Sequence, residues 1–250
     1  MHSPSLTIQG KNEPFELQVA RGQIEGHTLL NIFGYQPLVT TAGPYAVWEN
    51  VAPYVFPSVA QKMLVYSDSA LDVNCRIVVS GLDVDWKPIT EVVILTNGTT
   101  GVQTVNSFLR INLVQDSNLS YAIPVGSISV GNVAKTAVYG KISAGLGRSQ
   151  ASIYSVPANH TFFLTRVDAY ISEAGGGNNY GTYRVSSVNN VDGSAFVVLQ
   201  APFGLRYEAR RVVPFPYTEK TDIQWQVKTG TGSAPVGVVI EGILIRNNPT

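Results

Sequence analysis

Residues 219–245 read EKTDIQWQVKTGTGSAPVGVVIEGILI. From Asp222 to Lys228 polar and apolar side chains alternate without a break. Ile223, Trp225 and Val227 take one face; Asp222, Gln224, Gln226 and Lys228 take the other. Period two is the mark of a half-buried strand. After a Gly/Thr/Ser turn, VGVVIEGILI carries apolar residues on both faces: Val236, Val238, Ile240 and Leu244 on one side, Val239, Ile243 and Ile245 on the other. A strand apolar on both sides belongs in the middle of a sheet or under a neighbouring subunit. Glu219, Lys220 and Asp222 resemble a reactive acid–base group at first sight. In front of an alternating strand they are expected to be turn formers and solubilising charges, so the stretch predicts a scaffold hairpin.

The same pattern recurs outward from this hairpin. HTFFLTRVDAYIS (160–172) places Phe163, Val167, Ala169 and Ile171 on one face, with Arg166 and Asp168 opposite. NCRIVVSG groups Cys75, Ile77 and Val79. SFLRINLVQ groups Leu109, Ile111 and Leu113, with Arg110 and Asn112 outward, and PFELQV alternates Phe15, Leu17 and Val19 with Glu16 and Gln18. No stretch of twelve or more residues has helical periodicity. Turn signals interrupt the strands at short intervals, among them Asn97-Gly98, Asp192-Gly193 and the Gly175–Asn179 run, which reads as a mobile loop tip. Pro88 is expected to start a strand. Many short strands predict an all-β chain of tandem β-sandwich or jelly-roll domains. Residues 1–13 read as an extended N-terminal arm. The small, flexible stretch SAGLGRSQ (143–150) separates a sandwich over 14–150 from a second over 151–250, with one large sandwich as the alternative.

Composition narrows the function. The chain has 250 residues, 17 basic and 17 acidic side chains, and a net charge of +0. Neither half has the basic excess needed to track phosphate backbones or an anionic membrane, so neither partner is expected. Charged residues make up only 14%, against about 25% in an ordinary soluble domain. That suggests a surface partly covered by other subunits. The start, MHSPSLTIQG, has no basic and apolar leader, and no segment approaches a membrane span; the expectation is synthesis in a cytosol. Asn-x-Ser/Thr triplets at Asn97, Asn118 and Asn159 then carry little meaning.

Reactive constellations are scarce. The three histidines, His2, His27 and His160, share no metal-ligand spacing, and Cys75 is the single cysteine. A buried thiol is its expected role. No phosphate-binding loop or nucleophile elbow occurs. Asp68 with Asp72, and Asp83 with Asp85 beside Trp86, are the paired carboxylates; hairpin periodicity explains them better than calcium or glycosidic chemistry. No catalytic, metal or cofactor residues are expected. Arg206 and Arg210 share a strand face with Glu208 between them, and Arg211 opposes them. This suits a charged ladder between subunits better than a nucleic-acid patch.

Several segments, in order, resemble tailed-bacteriophage virion structural proteins of the capsid decoration (cement) or head-fibre kind. They are GQIEGHTLLNIFGYQP, YAVWENVAPYVFPSVAQKMLVYSDSALD, RIVVSGLDVDWKPITEVVILTNGTTGVQTVNSFLRI, SIYSVPANHTFFLTRVDAYIS, VPFPYTEKTDIQWQVKTG and VGVVIEGILI. Phe33-Gly34, Val47-Trp48, Gly81-Leu82-Asp83 and Thr221-Asp222-Ile223 carry the likeness most strongly. It departs from the pattern at Tyr35-Gln36 and in the glycine-poor segment around Trp48. The resemblance implies a capsid-surface protein made in a bacterial cytoplasm, bound to the major capsid protein and to itself as a homotrimer or homodimer, with no cofactor. The interface expected from these readings comprises Phe33, Trp48, Tyr54, Arg206, Arg210, Arg211 and Trp225. The alternative is a tail or receptor-binding protein touching host glycans through aromatics at loop tips, with Trp86, Tyr180 and Tyr183 as candidates; a polysaccharide-cleaving enzyme ranks last.

Overall fold

The computed structural model describes residues 6–8, 11–117, 124–172 and 180–247. It is almost entirely antiparallel β-structure. A hairpin of β1 (Leu6–Ile8) and β2 (Lys11–Glu13) leads into α1 (Phe15–Ala20). The expected strand at PFELQV is thus corrected to a helix. Pro14 precedes its first turn, where a missing N–H costs nothing. The Pro14 carbonyl accepts from the backbone N–H groups of Leu17 and Gln18, and Glu, Leu and Gln are good helix formers.

One half of the molecule contains β5 (Gln61–Ser67), β6 (Arg76–Leu82), β7 (Pro88–Ile94), β8 (Val102–Phe108), β9 (Arg110–Asp116), β10 (Ile128–Gly131) and β11 (Val138–Ile142). They form two sheets, ordered β11-β10-β5-β8 and β7-β6-β9. Met63, Cys75, Ile77, Val79, Phe108, Val114 and Ile128 close one apolar core between them. Cys75 is a buried free thiol, and burial pushes its pKa up.

The other half contains β3 (His27–Val39), β4 (Tyr45–Ala46), β12 (Ile153–Ser155), β13 (His160–Ile171), β14 (Gly181–Asn189), β15 (Ala195–Phe203), β16 (Arg206–Tyr217), β17 (Thr221–Thr229) and β18 (Ala234–Arg246). Its sheets are β16-β13-β18-β3 and β12-β17-β14-β15, with β4 paired to β17. Phe162, Leu164, Tyr183, Trp225, Val236, Val238 and Ile240 fill the core between them. The stretch expected to be a hairpin is corrected to two strands of different sheets: β17 pairs with β12 and β14, β18 with β13 and β3, each central in its own sheet, and the turn between them crosses from one sheet to the other instead of closing a hairpin. A cut at residue 150 does not separate the halves, because β3 and β4 pair with strands from after it. Nor is 143–150 a loose tether. Glu49 accepts the backbone N–H groups of Ser143 and Gln150 at 2.8 and 2.9 Å, and Ser149 N donates to Val114 O at 2.8 Å.

Two β-bulges overturn faces read from alternation. Both pairings of β13 shift register between Leu164 and Arg166. The extra residue, Thr165, flips the phase, so Phe162 and Leu164 share the core face with Val167, Ala169 and Ile171, and Phe163 does not. In β9 the pairing jumps from Leu113 to Ile111. Ile111 and Val114 therefore both reach the core, while Leu113 is only half-buried. Arg110, expected outward, is buried.

Candidate interaction surface

The seven residues expected at an interface divide into two groups. Trp48, Tyr54 and Trp225 are buried within the chain, so they are corrected to core residues. Trp48 stacks edge-on against Tyr54 at 5.0 Å and donates from Nε1 to the Ala52 carbonyl at 2.8 Å. The Tyr54 hydroxyl donates to the Tyr139 carbonyl at 3.1 Å, and desolvation pushes its pKa far up. These two residues, with Ala46 and Ile153, form a small core where the halves meet. Their aromatic, loop-flanked sequence resembles a surface, and nothing local marks the other half that covers it.

Asp222 is also no solubilising charge. Arg110 grips it with Nε to Oδ1 at 2.8 Å and Nη2 to Oδ2 at 2.7 Å. Ser155 Oγ and Asn190 Nδ2 fill its remaining acceptor positions. Arg110 lies between the rings of Trp86 and Phe56, 4.7 and 5.2 Å from their centroids. Trp86 is therefore not an exposed loop-tip aromatic, and Tyr183 is fully buried; Tyr180 remains exposed.

Phe33, Arg206 and Arg210 do come together, on the outer face of the β16-β13-β18-β3 sheet. Strand register aligns the face in rows: Arg210, Arg166, Glu241, Asn31; then Glu208, Asp168, Val239, Phe33; then Arg206, Tyr170, Gly237, Tyr35. One side is a charged ladder. Arg206 donates to Asp168 at 2.9 and 2.5 Å, Arg166 bridges to Asp168, Glu208 and Glu241, and Arg210 reaches Glu208 at 3.1 Å. The two hydrogen bonds from Arg206 hold the Asp168 carboxyl below its ordinary range. The ladder expected between subunits is satisfied within one chain. The other side is apolar: Phe33, Val239, Tyr170 and Tyr35. Arg148 lays its guanidinium over Phe33 at 5.3 Å and donates to the Asn31 carbonyl at 2.9 Å.

Arg211 opposes the ladder, as its parity requires, and sits over the Phe215 ring at 5.4 Å. It begins a departure of β16 from its neighbour. The pairing passes from Leu164↔Phe215 directly to Arg166↔Arg210, leaving 211–214 without partners on β13. Val212 and Val213 protrude there, 81% and 80% exposed. A bulge on an edge strand blocks indiscriminate sheet-to-sheet pairing.

The remaining candidates for chemistry separate. His27 and His160 each contact a carbonyl two residues back, Glu25 and Ala158, and do not approach one another. Asp72 is buried, accepting from Ser67 Oγ and from the backbone N–H groups of Val125 and Gly126. Asp83 accepts from the N–H groups of Asp85 and Lys87 in a tight turn. Among the described residues, no three His, Cys, Asp or Glu side chains converge as a metal site. His2, Asn118 and the Gly175–Asn179 run lie outside the described residues.

No protein-family model matches the chain, and no curated protein matches it. One solved structure, the D431N mutant VP2 protein of infectious bursal disease virus in derived T=1 particles, aligns over 90% of this chain and 79% of its own at 10% identity. Its TM-score of 0.13 is too low for the likeness to support any argument.

Proposed function

We propose that this chain is a structural protein of a tailed-bacteriophage virion, a capsid decoration (cement) protein that binds the major capsid protein and further copies of itself. In this reading each facing sheet pair is a β-sandwich, the two stand in tandem, and residues 1–13, which include the β1–β2 hairpin, serve as an arm that docks on the capsid. The protein is made in the bacterial cytoplasm and works on the head surface.

The observation that carries the reading is the apolar patch on the outer face of the β16-β13-β18-β3 sheet. An exposed Phe33 beside Val239 offers apolar area. The adjoining ladder pairs its own charges and so leaves no lone charge that a neighbour must match, which places it at the rim of a contact centred on Phe33. A low charged fraction and zero net charge suit close packing of many copies. An interface core is depleted of unpaired charge and enriched in aromatic residues, and this face has both properties.

The test mixes purified protein with heads assembled from the accompanying major capsid protein and counts bound copies. Saturable binding at many copies per head, weakened by Phe33→Asp with the fold intact, is the expected result. Failure to bind heads at all, or a handful of copies confined to the tail, overturns the reading. Deleting residues 1–13 should reduce binding without unfolding the protein.

A further inference from the structure

β15 and β16 are each the last strand of their sheet among the described residues, and a cleft of about 410 Å³ opens between them. Phe196, Val197, Phe215 and Tyr217 line it, with the buried Ser187 and Thr221. None of its lining residues is charged. Phe196 pairs across the ladder with Ser187, so both point to the core side of their sheet. Phe196 is nevertheless 60% exposed. The apolar core between the two sheets is unfinished at this edge.

The same edge carries the piece that the cleft lacks. β16 leaves β13 at residues 211–214, four residues set against Thr165 alone. Val212 and Val213 stand out from that bulge, almost fully exposed. Pro214 follows them, and its ring restricts the backbone on which they are mounted. Two valines on a stiff bulge form a knob that is in place before anything binds it. An added backbone strand fits this edge poorly. β16 has the 211–214 bulge, and on β15 Val198 has no partner on β14, so neither strand offers a regular row of N–H and C=O groups. Contact here is made by side chains.

Charge favours a second copy of this chain as the occupant. Arg211 stands at the base of the knob, over the Phe215 ring, with no ion pair among the described residues. Asp192 borders the cleft through Ser194, from which its carboxylate accepts two hydrogen bonds, and it too has no ion pair among the described residues. Glu219 borders the cleft through Thr218, against the single cation Lys220. A cationic knob base thus complements an anionic rim, and a neutral valine pair complements a neutral interior. Only Pro214 separates Val213 from the cleft residue Phe215. A two-fold axis at this edge presents each knob to the other copy's cleft, the self-matching arrangement that a symmetric dimer requires. We propose that two copies of this chain join here, Val212 and Val213 of each entering the Phe196–Tyr217 cleft of the other. The inference rests on the self-association in the assembly reading and gives it a surface away from Phe33.

Sedimentation equilibrium of the full chain is the test. Wild type should be a dimer at micromolar concentration. Val212→Asp combined with Val213→Asp removes the knob, and Phe196→Arg blocks the cleft; each should weaken dimerisation at least about tenfold. All three side chains are exposed, and unfolding midpoints check that the fold is kept. Mixing the two variants restores one intact knob and cleft per pair, so a heterodimer should form where neither variant dimerises alone. A monomeric or trimeric wild type, variants that dimerise like wild type, or a mixture no more associated than its components each overturns the inference. Head binding is scored apart: its absence overturns the assembly reading and leaves a dimer that responds to these variants standing.

Discussion

Arg110 and Asp222, 112 positions apart, form a buried bidentate ion pair at the junction of the two halves, their side chains 7% and 4% exposed. Arg110 Nη1 also donates to the carbonyls of Pro57 and Leu109, each at 2.8 Å. Neutralising one partner strands the other charge in a low-dielectric site. Asp222→Ala is therefore expected to cost about 3–5 kcal/mol, read as a lower urea midpoint. The double change Arg110→Met with Asp222→Leu removes both charges and should cost less than Asp222→Ala. A double-mutant loss equal to the sum of the two single losses would mean that the charges are not coupled, and would refute this account.

The β13 bulge gives a second comparison. Phe162 is completely buried and stacks with Tyr217 at 6.2 Å, whereas Phe163 is half-buried on the opposite face. Phe162→Ala should cost about 3–5 kcal/mol and Phe163→Ala clearly less, measured by equilibrium unfolding. A reading from unbroken alternation predicts the reverse order.

These two sites show what the sequence made legible. Strand character and the buried faces of Ile223, Trp225, Val227, Cys75, Ile77 and Val79 follow from period two, and the structure agrees. Alternation carries no mark of an inserted residue, so a face carried across Thr165 puts Phe163 in the core in place of Phe162, and one carried across Asn112 puts Leu113 there in place of Val114. Long-range pairing is equally silent. Nothing near Arg110 announces Asp222, and nothing near His27–Val39 announces β18. The outer sheet face was half legible: Arg206, Glu208 and Arg210 showed their shared side, but Tyr170 and Tyr35 needed Gly237 between them to be recognised.

Two carboxylates should respond to pH with opposite signs. Asp168 is held below its ordinary pKa by Arg206. Its contribution is present above about pH 3.9, the unfolded value, and is lost as pH falls through the lower folded value. Glu49 is raised by burial. Its contribution is present below about pH 4.3 and is lost as pH rises through the raised folded value. Between acid and neutral pH, wild type should therefore gain stability relative to Asp168→Asn and lose it relative to Glu49→Gln. Chemical denaturation of the three proteins at a series of pH values checks both slopes, and parallel profiles would refute the assignments.

Gly34 tests whether the Phe33-Gly34 pair is demanded by packing. A Cβ there would lie 2.5 Å from the Val47 carbonyl oxygen and 2.6 Å from Ser152 Cβ. Ser152 cannot move away cheaply. It is fully buried, its N donates to Val47 O at 2.8 Å, and its Oγ accepts from Val47 N and donates to Trp225 O at 2.6 Å. Gly34→Ala therefore forces β3 away from the strand junction and should cost about 1–3 kcal/mol, the range for overpacking. Gly204, with open space around its would-be Cβ, is the matched control: Gly204→Ala should stay within about 0.5 kcal/mol of wild type. Equal effects in urea unfolding would mean that β3 yields freely, and that the close approach of Gly34 to Ser152 does not constrain how the halves join.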